Sequence, residues 1–99
     1  MNILQPENKP TILLVDDDAA LRALLQTFFG TRGVHLLTLP SADRLGEVVA
    51  AERPSIIVMD LMMPVIDGLS ALRQLRASGD ATPVIMLTAR AEAVDRVIG

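Results

Sequence analysis

The chain has 99 residues, and 51% of them are hydrophobic, which is enough for the core of one domain and excludes a disordered chain. It contains no cysteine, so these residues cannot form a disulfide framework or a thiolate metal site. The formal net charge of −3 excludes binding to nucleic acid or to an anionic membrane by electrostatics alone.

Short aliphatic runs predict the strands of the domain, after a polar N-terminal lead-in over residues 1–10. Four such runs occur, at residues 12–15, 34–39, 56–59 and 84–87. The first helix is predicted between the first two runs, because apolar side chains recur there at helical spacing and a glycine follows them. Its apolar face comprises Leu21, Leu24, Leu25 and Phe28, and the helix is predicted to end at Gly30 or Gly33.

Three further helices are predicted from the same spacing. Ser41 is expected to cap the second helix, and Pro54 lies just past its end. The third helix carries an inner face of Leu69, Leu72 and Leu75. A fourth helix is predicted to begin near Ala91 and to continue to the end of the sequence, with an inner face of Val94, Val97 and Ile98.

The strands are apolar throughout rather than alternating, which indicates that both faces of the sheet are covered. Alternation with helices then predicts right-handed β-α-β units and an α/β fold with a parallel sheet. In such sheets the ligand crevice lies outside the carboxyl ends of the strands, where the strand order reverses. With the order 2-1-3-4, the first and third strands are neighbours, and residues that follow them meet at this crevice.

Aspartates follow both of these strands. Asp16, Asp17 and Asp18 come directly after the first strand, and Asp60 follows the third. Two carboxylates about 4 Å apart repel by roughly 4 kcal/mol at an effective dielectric of 20. Such a cluster needs a cation, or a proton held by a raised pKa. Oxygen ligands without histidine or cysteine favour Mg²⁺, which suits phosphate chemistry.

A purely structural interpretation applies to each of these residues. Aspartate after a strand commonly starts a turn or caps a helix, and Asp18 fits that role well. Asp16 and Asp17 alone are equally compatible with capping and with ligand binding, and their coincidence with Asp60 favours a site. Thr88 follows the fourth strand, where its hydroxyl could bond to a phosphoryl group on Asp60, although a threonine there is more often a helix cap.

Three motifs resemble the response-regulator receiver domain of bacterial two-component signalling: ILLVDDD at 12–18, IIVMDLMMPVIDG at 56–68 and VIMLTAR at 84–90. The resemblance covers residues 11–99 and implies a flavodoxin-like, doubly wound sheet. It implies that Asp60 accepts a phosphoryl group from the phosphohistidine of a sensor histidine kinase. Mg²⁺ would be held by Asp60, directly by Asp17, mostly through water by Asp16, and by the backbone carbonyl of Met62. Thr88 would be the hydroxyl that moves toward the phosphoryl group.

The sequence departs from this family near its end. A complete receiver continues with the rest of the fourth helix, a fifth strand that brings an aromatic switch residue and a lysine, and a fifth helix. The single lysine here is Lys9. We therefore expect a receiver domain over residues 11–99 that is truncated in the fourth helix. The missing fifth strand would leave residues 84–87 as an exposed sheet edge, through which the chain could self-associate.

The function expected from the resemblance is control of an output domain or partner by phosphorylation, without enzymatic turnover. A DNA-binding domain could follow the receiver, and transcription regulation is the expected output. We expect a cytoplasmic protein without membrane contact, because no signal peptide or long apolar segment is present.

Three other classes of protein compete with the receiver. A haloacid-dehalogenase-type phosphatase would need a second aspartate where Met62 stands. A dinucleotide-binding module would need a G-x-G-x-x-G motif after the first strand. The serious alternative is a receiver-like interaction module that is not phosphorylated.

Overall fold

The computed structural model describes residues 10–60, 68–87 and 96–98, and within them strands and helices alternate from the N-terminus. Every element before β4 is followed by one of the other type, as the alternation of aliphatic runs and helical spacing predicts. The elements are β1 Thr11–Val15, α1 Ala19–Gly30, β2 His35–Leu39, α2 Leu45–Glu52, β3 Ile56–Asp60, α3 Gly68–Ala77, β4 Val84–Leu87 and β5 Arg96–Ile98.

One sheet contains the five strands in the order β2-β1-β3-β4-β5. The first four are parallel, which confirms the predicted order 2-1-3-4. β1 lies at the point where the order reverses, with Leu13 opposite Leu37 of β2 and Ile57 of β3. The strand ends of β1 and β3 therefore lie side by side at the carboxyl edge of the sheet.

The predicted fourth helix is wrong over residues 96–98, where the chain forms β5. This strand pairs antiparallel with β4, Val97 lying opposite Ile85 and Ile98 opposite Val84. β-branched residues favour extended backbone, and the edge of β4 offers unpaired N–H and C=O groups that a helix could not satisfy. The edge at Val84–Leu87, which was expected to be open, is instead paired with β5 over residues 84–86. Self-association of the chain stays a prediction. Residues 91–95 lie outside the described part of the chain.

The start of the second helix also differs from the prediction. α2 begins at Leu45 with Arg44 at the cap position, and the Arg44 side chain makes no capping hydrogen bond. The Ser41 hydroxyl instead donates to the carboxylate of Asp43. Serine and aspartate readily make such local hydrogen bonds, which compete with capping. The helix ends at Glu52, and its C-cap residue Arg53 adopts the left-handed conformation with φ 50° just before Pro54.

The two faces of the sheet are covered to different extents. One face forms the core with α2 and α3, in a cluster that includes Leu13, Val15, Ala42, Leu45, Val49, Ile57, Met59, Ala71, Leu72, Leu75, Val84 and Met86. On the other face, α1 leaves an apolar cavity of about 220 Å³ lined by Ile12, Leu14, Leu25, Phe29, Leu36 and Val58. Leu24, on the predicted apolar face of α1, is 64% exposed.

No helix in the described residues reaches the length and apolarity needed to cross a membrane.

The loop between α3 and β4 is held by side-chain hydrogen bonds. The Arg76 guanidinium donates to the backbone carbonyls of Asp80 and Thr82, at 3.0 and 2.7 Å. The Asp80 carboxylate accepts from the Thr82 backbone N–H at 2.8 Å. Hydrogen bonds from the Thr82 hydroxyl and from this N–H lower the pKa of the Asp80 carboxyl below its ordinary value. The folded protein thus prefers ionised Asp80.

Replacing Asp80 by asparagine is expected to destabilise the protein at neutral pH by about 1 kcal/mol, because the neutral amide oxygen accepts the same hydrogen bonds more weakly than the partly exposed carboxylate does. Because the folded-state pKa is lowered, this stabilisation is complete above the ordinary carboxyl pKa and disappears as the pH falls through the folded-state value. Urea unfolding of both proteins at neutral and acidic pH measures it. A difference in stability that is the same at both pH values would contradict the assignment.

Candidate metal centre

Three carboxylates meet at the carboxyl edge of the sheet. β1 and β3 pair in parallel as far as Val15 and Met59. The next residue after each of these is an aspartate: Asp16 directly follows β1, and Asp60 is the last residue of β3, opposite Leu87 of β4. The structure brings one carboxylate oxygen each of Asp16, Asp17 and Asp60 within 4.8 Å of one another. Asp18, the last aspartate of the run at 16–18, is not part of this group.

Asp16 is the buried member of the group, with 6% of its surface exposed. Its backbone N–H donates to the Leu39 carbonyl at 3.0 Å, so the contact with β2 extends one residue beyond the ladder. Its Oδ1 accepts the Asp18 backbone N–H at 2.9 Å. Burial raises the pKa of the Asp16 carboxyl, the Asp18 N–H opposes this rise, and the nearby charges of Asp60 and Asp17 add to it. The cluster therefore concentrates negative charge at a poorly solvated position.

Asp18 serves the helix rather than the cluster. Its Oδ1 accepts the backbone N–H groups of Ala20 and Leu21, at 3.0 and 3.1 Å, and satisfies donors that would otherwise have no partner. This confirms the expected helix-start role. Asp17 stands between Asp16 and Asp18 and is exposed, so its carboxylate is accessible from solvent.

The donor set fits a hard divalent cation. Three carboxylates supply oxygen ligands, and a bound cation would offset the repulsion that burial strengthens. Asp16, Asp17 and Asp60 are the described residues that would hold Mg²⁺. The Met62 carbonyl and the Thr88 hydroxyl lie outside the described residues, so their predicted roles stay predictions.

The sequence did not single out Arg22, which contacts the same loop. This half-buried residue of α1 donates from its guanidinium to the Asp16 backbone carbonyl at 2.8 Å. The sequence gives only a weak indication of this contact, namely that an arginine stands one turn after Asp18, the predicted helix-start residue. Helix surfaces carry many arginines, and spacing alone does not distinguish one that reaches back to a strand end.

Comparison with known proteins places these features in a family. The family model described as the response regulator receiver domain matches residues 12–99. The protein named response regulator MprA from Mycolicibacterium vanbaalenii is 40% identical over 88 residues, and its counterpart from Mycobacterium ulcerans is 41% identical over the same length. Each alignment covers 89% of this chain and 38% of the relative, so the chain spans well under half of these relatives' length.

Solved structures show the same similarity. The receiver domain of the Francisella response regulator 1452 is 31% identical, with a TM-score of 0.75 over 84% of this chain and 69% of that one. The N-terminal receiver domain of Klebsiella pneumoniae RstA, solved in a BeF3-activated form, is also 31% identical. Its TM-score is 0.70 over 81% of this chain and 68% of its own.

Proposed function

The chain belongs to the response regulator receiver domain family of two-component signalling, and we propose that its Asp60 accepts a phosphoryl group from the phosphohistidine of a sensor histidine kinase. The observation that carries this proposal is the convergence of Asp16, Asp17 and Asp60 within 4.8 Å at the strand ends. The similar RstA receiver was solved in a BeF3-activated form, and beryllofluoride mimics an acyl phosphate, which supports the same chemistry here.

The proposed reaction is an in-line transfer. A carboxylate oxygen of Asp60 forms a bond to phosphorus while the P–N bond of phosphohistidine breaks, and the electron pair returns to the imidazole, which takes a proton from solvent. The product is an acyl phosphate on Asp60. Bound Mg²⁺ would supply positive charge to the phosphoryl oxygens and to the crowded carboxylates. The chain modifies itself once per cycle and is not a turnover enzyme.

The neighbouring residues divide the remaining tasks. Exposed Asp17 is proposed as a direct Mg²⁺ ligand, and Asp16, whose Oδ1 already accepts the Asp18 N–H, as a ligand mostly through water. The Met62 carbonyl would complete the protein ligands. Thr88 would then bind the phosphoryl group and couple its presence to a change of conformation.

The biological output is also a proposal. The curated relatives are named response regulators and are longer than this chain. We expect phosphorylation in the cytoplasm to control an output domain or partner, including a DNA-binding domain, rather than DNA binding by these residues themselves. The acidic net charge of −3 agrees with that expectation.

A small-molecule phosphodonor tests the proposal without knowledge of the partner kinase. The protein is incubated with acetyl phosphate and Mg²⁺, and its intact mass is followed with and without EDTA. We expect the mass of one phosphoryl group to be added when Mg²⁺ is present, and hydroxylamine, which cleaves acyl phosphates, to remove it. An unchanged mass, together with no Mg²⁺-dependent binding of beryllofluoride, would favour the interaction module that is not phosphorylated.

Replacing Asp17 by asparagine is expected to raise the Mg²⁺ concentration for half-maximal phosphorylation by roughly 10-fold or more, because even the supporting residues of a metal site contribute that much. Glu52→Gln, at an exposed position at the end of α2, removes a carboxylate away from the strand ends and serves as the control. Equal Mg²⁺ requirements in the Asp17 variant and the control would remove Asp17 from the site.

A further inference from the structure

The loop between β1 and α1, which carries Asp16 and Asp17, is fixed at both of its ends. Before the loop, the Asp16 N–H is bonded to Leu39 of β2. After it, Asp18 caps α1 through its side chain, and its carbonyl accepts the first helical hydrogen bond from the Arg22 N–H at 3.0 Å. Asp17 lies between these two anchors. Its carboxylate can therefore keep one position relative to Asp60 only while both anchors hold.

The Arg22 side chain links the two anchors directly. Its backbone belongs to the helix that Asp18 caps, and its guanidinium donates to the Asp16 carbonyl at 2.8 Å. Asp16 follows the last paired residue of β1, so this carbonyl lies beyond the regular pairing of β1 with its neighbours. The hydrogen bond ties the first turns of α1 to the end of β1, across the residues that carry Asp16 and Asp17.

A guanidinium suits this contact. It remains charged at all physiological pH values, and a hydrogen bond from a charged donor is stronger than one between neutral groups. The residue is half-buried, so solvent screens the contact only in part. The guanidinium contacts the backbone carbonyl of Asp16 rather than its carboxylate, so its effect on the carboxylates is transmitted through the backbone.

From this geometry we propose that Arg22 is a positioning residue of the metal centre: by holding the Asp16 carbonyl, it sets the carboxylates of Asp16 and Asp17 for cation binding beside Asp60. The proposal rests on the proposed function, since it assigns Arg22 a part in the same site. Arg22 itself does not contact the cation or the phosphoryl group in this proposal. It acts by reducing the conformational freedom that the loop must otherwise lose when the cation binds.

The test compares three variants of the 99-residue chain. Arg22→Met keeps most of the apolar stem and removes the donor, and Arg22→Lys keeps a charged donor. Arg32→Met is the matched control, because Arg32 lies just beyond the other end of α1 and also donates to a backbone carbonyl, that of Phe28 at 3.3 Å. Mg²⁺ affinity is measured by calorimetry, and exchange of the Asp18 amide, which donates to Asp16, is followed by NMR.

We expect Arg22→Met to weaken Mg²⁺ binding by about 10-fold, the usual effect of removing a residue that orients metal ligands. The Asp18 amide should exchange faster, Arg22→Lys should recover most of the affinity, and Arg32→Met should match the wild type. With acetyl phosphate, Arg22→Met should need more Mg²⁺ for half-maximal phosphorylation but reach the wild-type rate at saturation. A merely destabilised protein would instead lose amplitude at every Mg²⁺ concentration.

The proposal is overturned if Arg22→Met binds Mg²⁺ as the wild type does, or if Arg22→Met and Arg32→Met weaken binding equally. Failure of the proposed function gives a different result. In that case the wild-type chain would not become phosphorylated on Asp60 at any Mg²⁺ concentration, whereas affinity and amide exchange would still report on Arg22.

Discussion

Replacing Asp60 by asparagine is expected to abolish phosphorylation of the chain by acetyl phosphate, with a rate lower by roughly 10⁴-fold or more, as is usual when a nucleophile is removed. Asparagine has nearly the same size, so the packing at the end of β3 should survive. Its amide nitrogen is not a nucleophile toward phosphorus, and its oxygen lacks the full negative charge that attacks. The change therefore separates the chemistry of Asp60 from its place in the fold.

The control for this experiment is Asp43→Asn. Asp43 is an exposed aspartate that accepts a hydrogen bond from Ser41 and belongs to no carboxylate cluster among the described residues. Rates are measured by intact mass at saturating Mg²⁺, and circular dichroism confirms that both variants are folded. Phosphorylation of the Asp60 variant at a rate near that of the Asp43 variant would show that another residue is the acceptor.

Replacing Leu13 by alanine is expected to lower the free energy of unfolding by about 3 kcal/mol, the middle of the range for buried leucines. Leu13 is fully buried at the centre of the sheet, opposite Leu37 and Ile57, so the lost methyl groups leave a cavity that neighbouring strands cannot easily close. A domain of this size is stable by about 5–15 kcal/mol, so the loss is a large fraction. The melting temperature should fall by on the order of 15 °C.

Leu24→Ala makes the same chemical change on the surface of α1, where 64% of the side chain is exposed. The expected loss is below about 0.5 kcal/mol, because little apolar area returns to water. Urea unfolding of both variants, monitored by circular dichroism, measures the difference. Similar losses in the two variants would mean that Leu24 is covered in solution, or that the core does not lie where the structure places it.

Much of the fold could be predicted from the sequence because the strands are short, aliphatic and separated by helical spacing. Such runs must be buried on both faces, which leaves few topologies, and the parallel order 2-1-3-4 is one of them. The strand at residues 96–98 could not be predicted in this way. Val97 and Ile98 are compatible with a helix face or with a strand, and the choice depends on the free edge of β4, which is tertiary information. Three residues are too few to show whether the apolar side chains recur with the period of a helix or with that of a strand.

The acidic site was predictable for a similar reason. Asp16 follows β1 and Asp60 ends the neighbouring parallel strand β3, so their convergence comes from the topology rather than from side-chain detail. The role of Asp18 at the helix start was predicted as well. For Asp16 and Asp17 the sequence left capping and ligand binding open, because capping depends on which carboxylate reaches the helix N–H groups. Arg22 could not be predicted, since its role depends on a single side-chain conformation that reaches across the loop.

The most direct test of the central claim is to locate the phosphoryl group itself. After reaction with acetyl phosphate and Mg²⁺, borohydride reduces an aspartyl phosphate to homoserine, a stable mark that peptide mass spectrometry assigns to one residue. We predict that the mark falls on Asp60 and disappears when EDTA is present during the reaction. A mark on Asp16, Asp17 or another residue, or one that forms equally without Mg²⁺, would contradict the assignment of Asp60 as the metal-assisted phosphate acceptor.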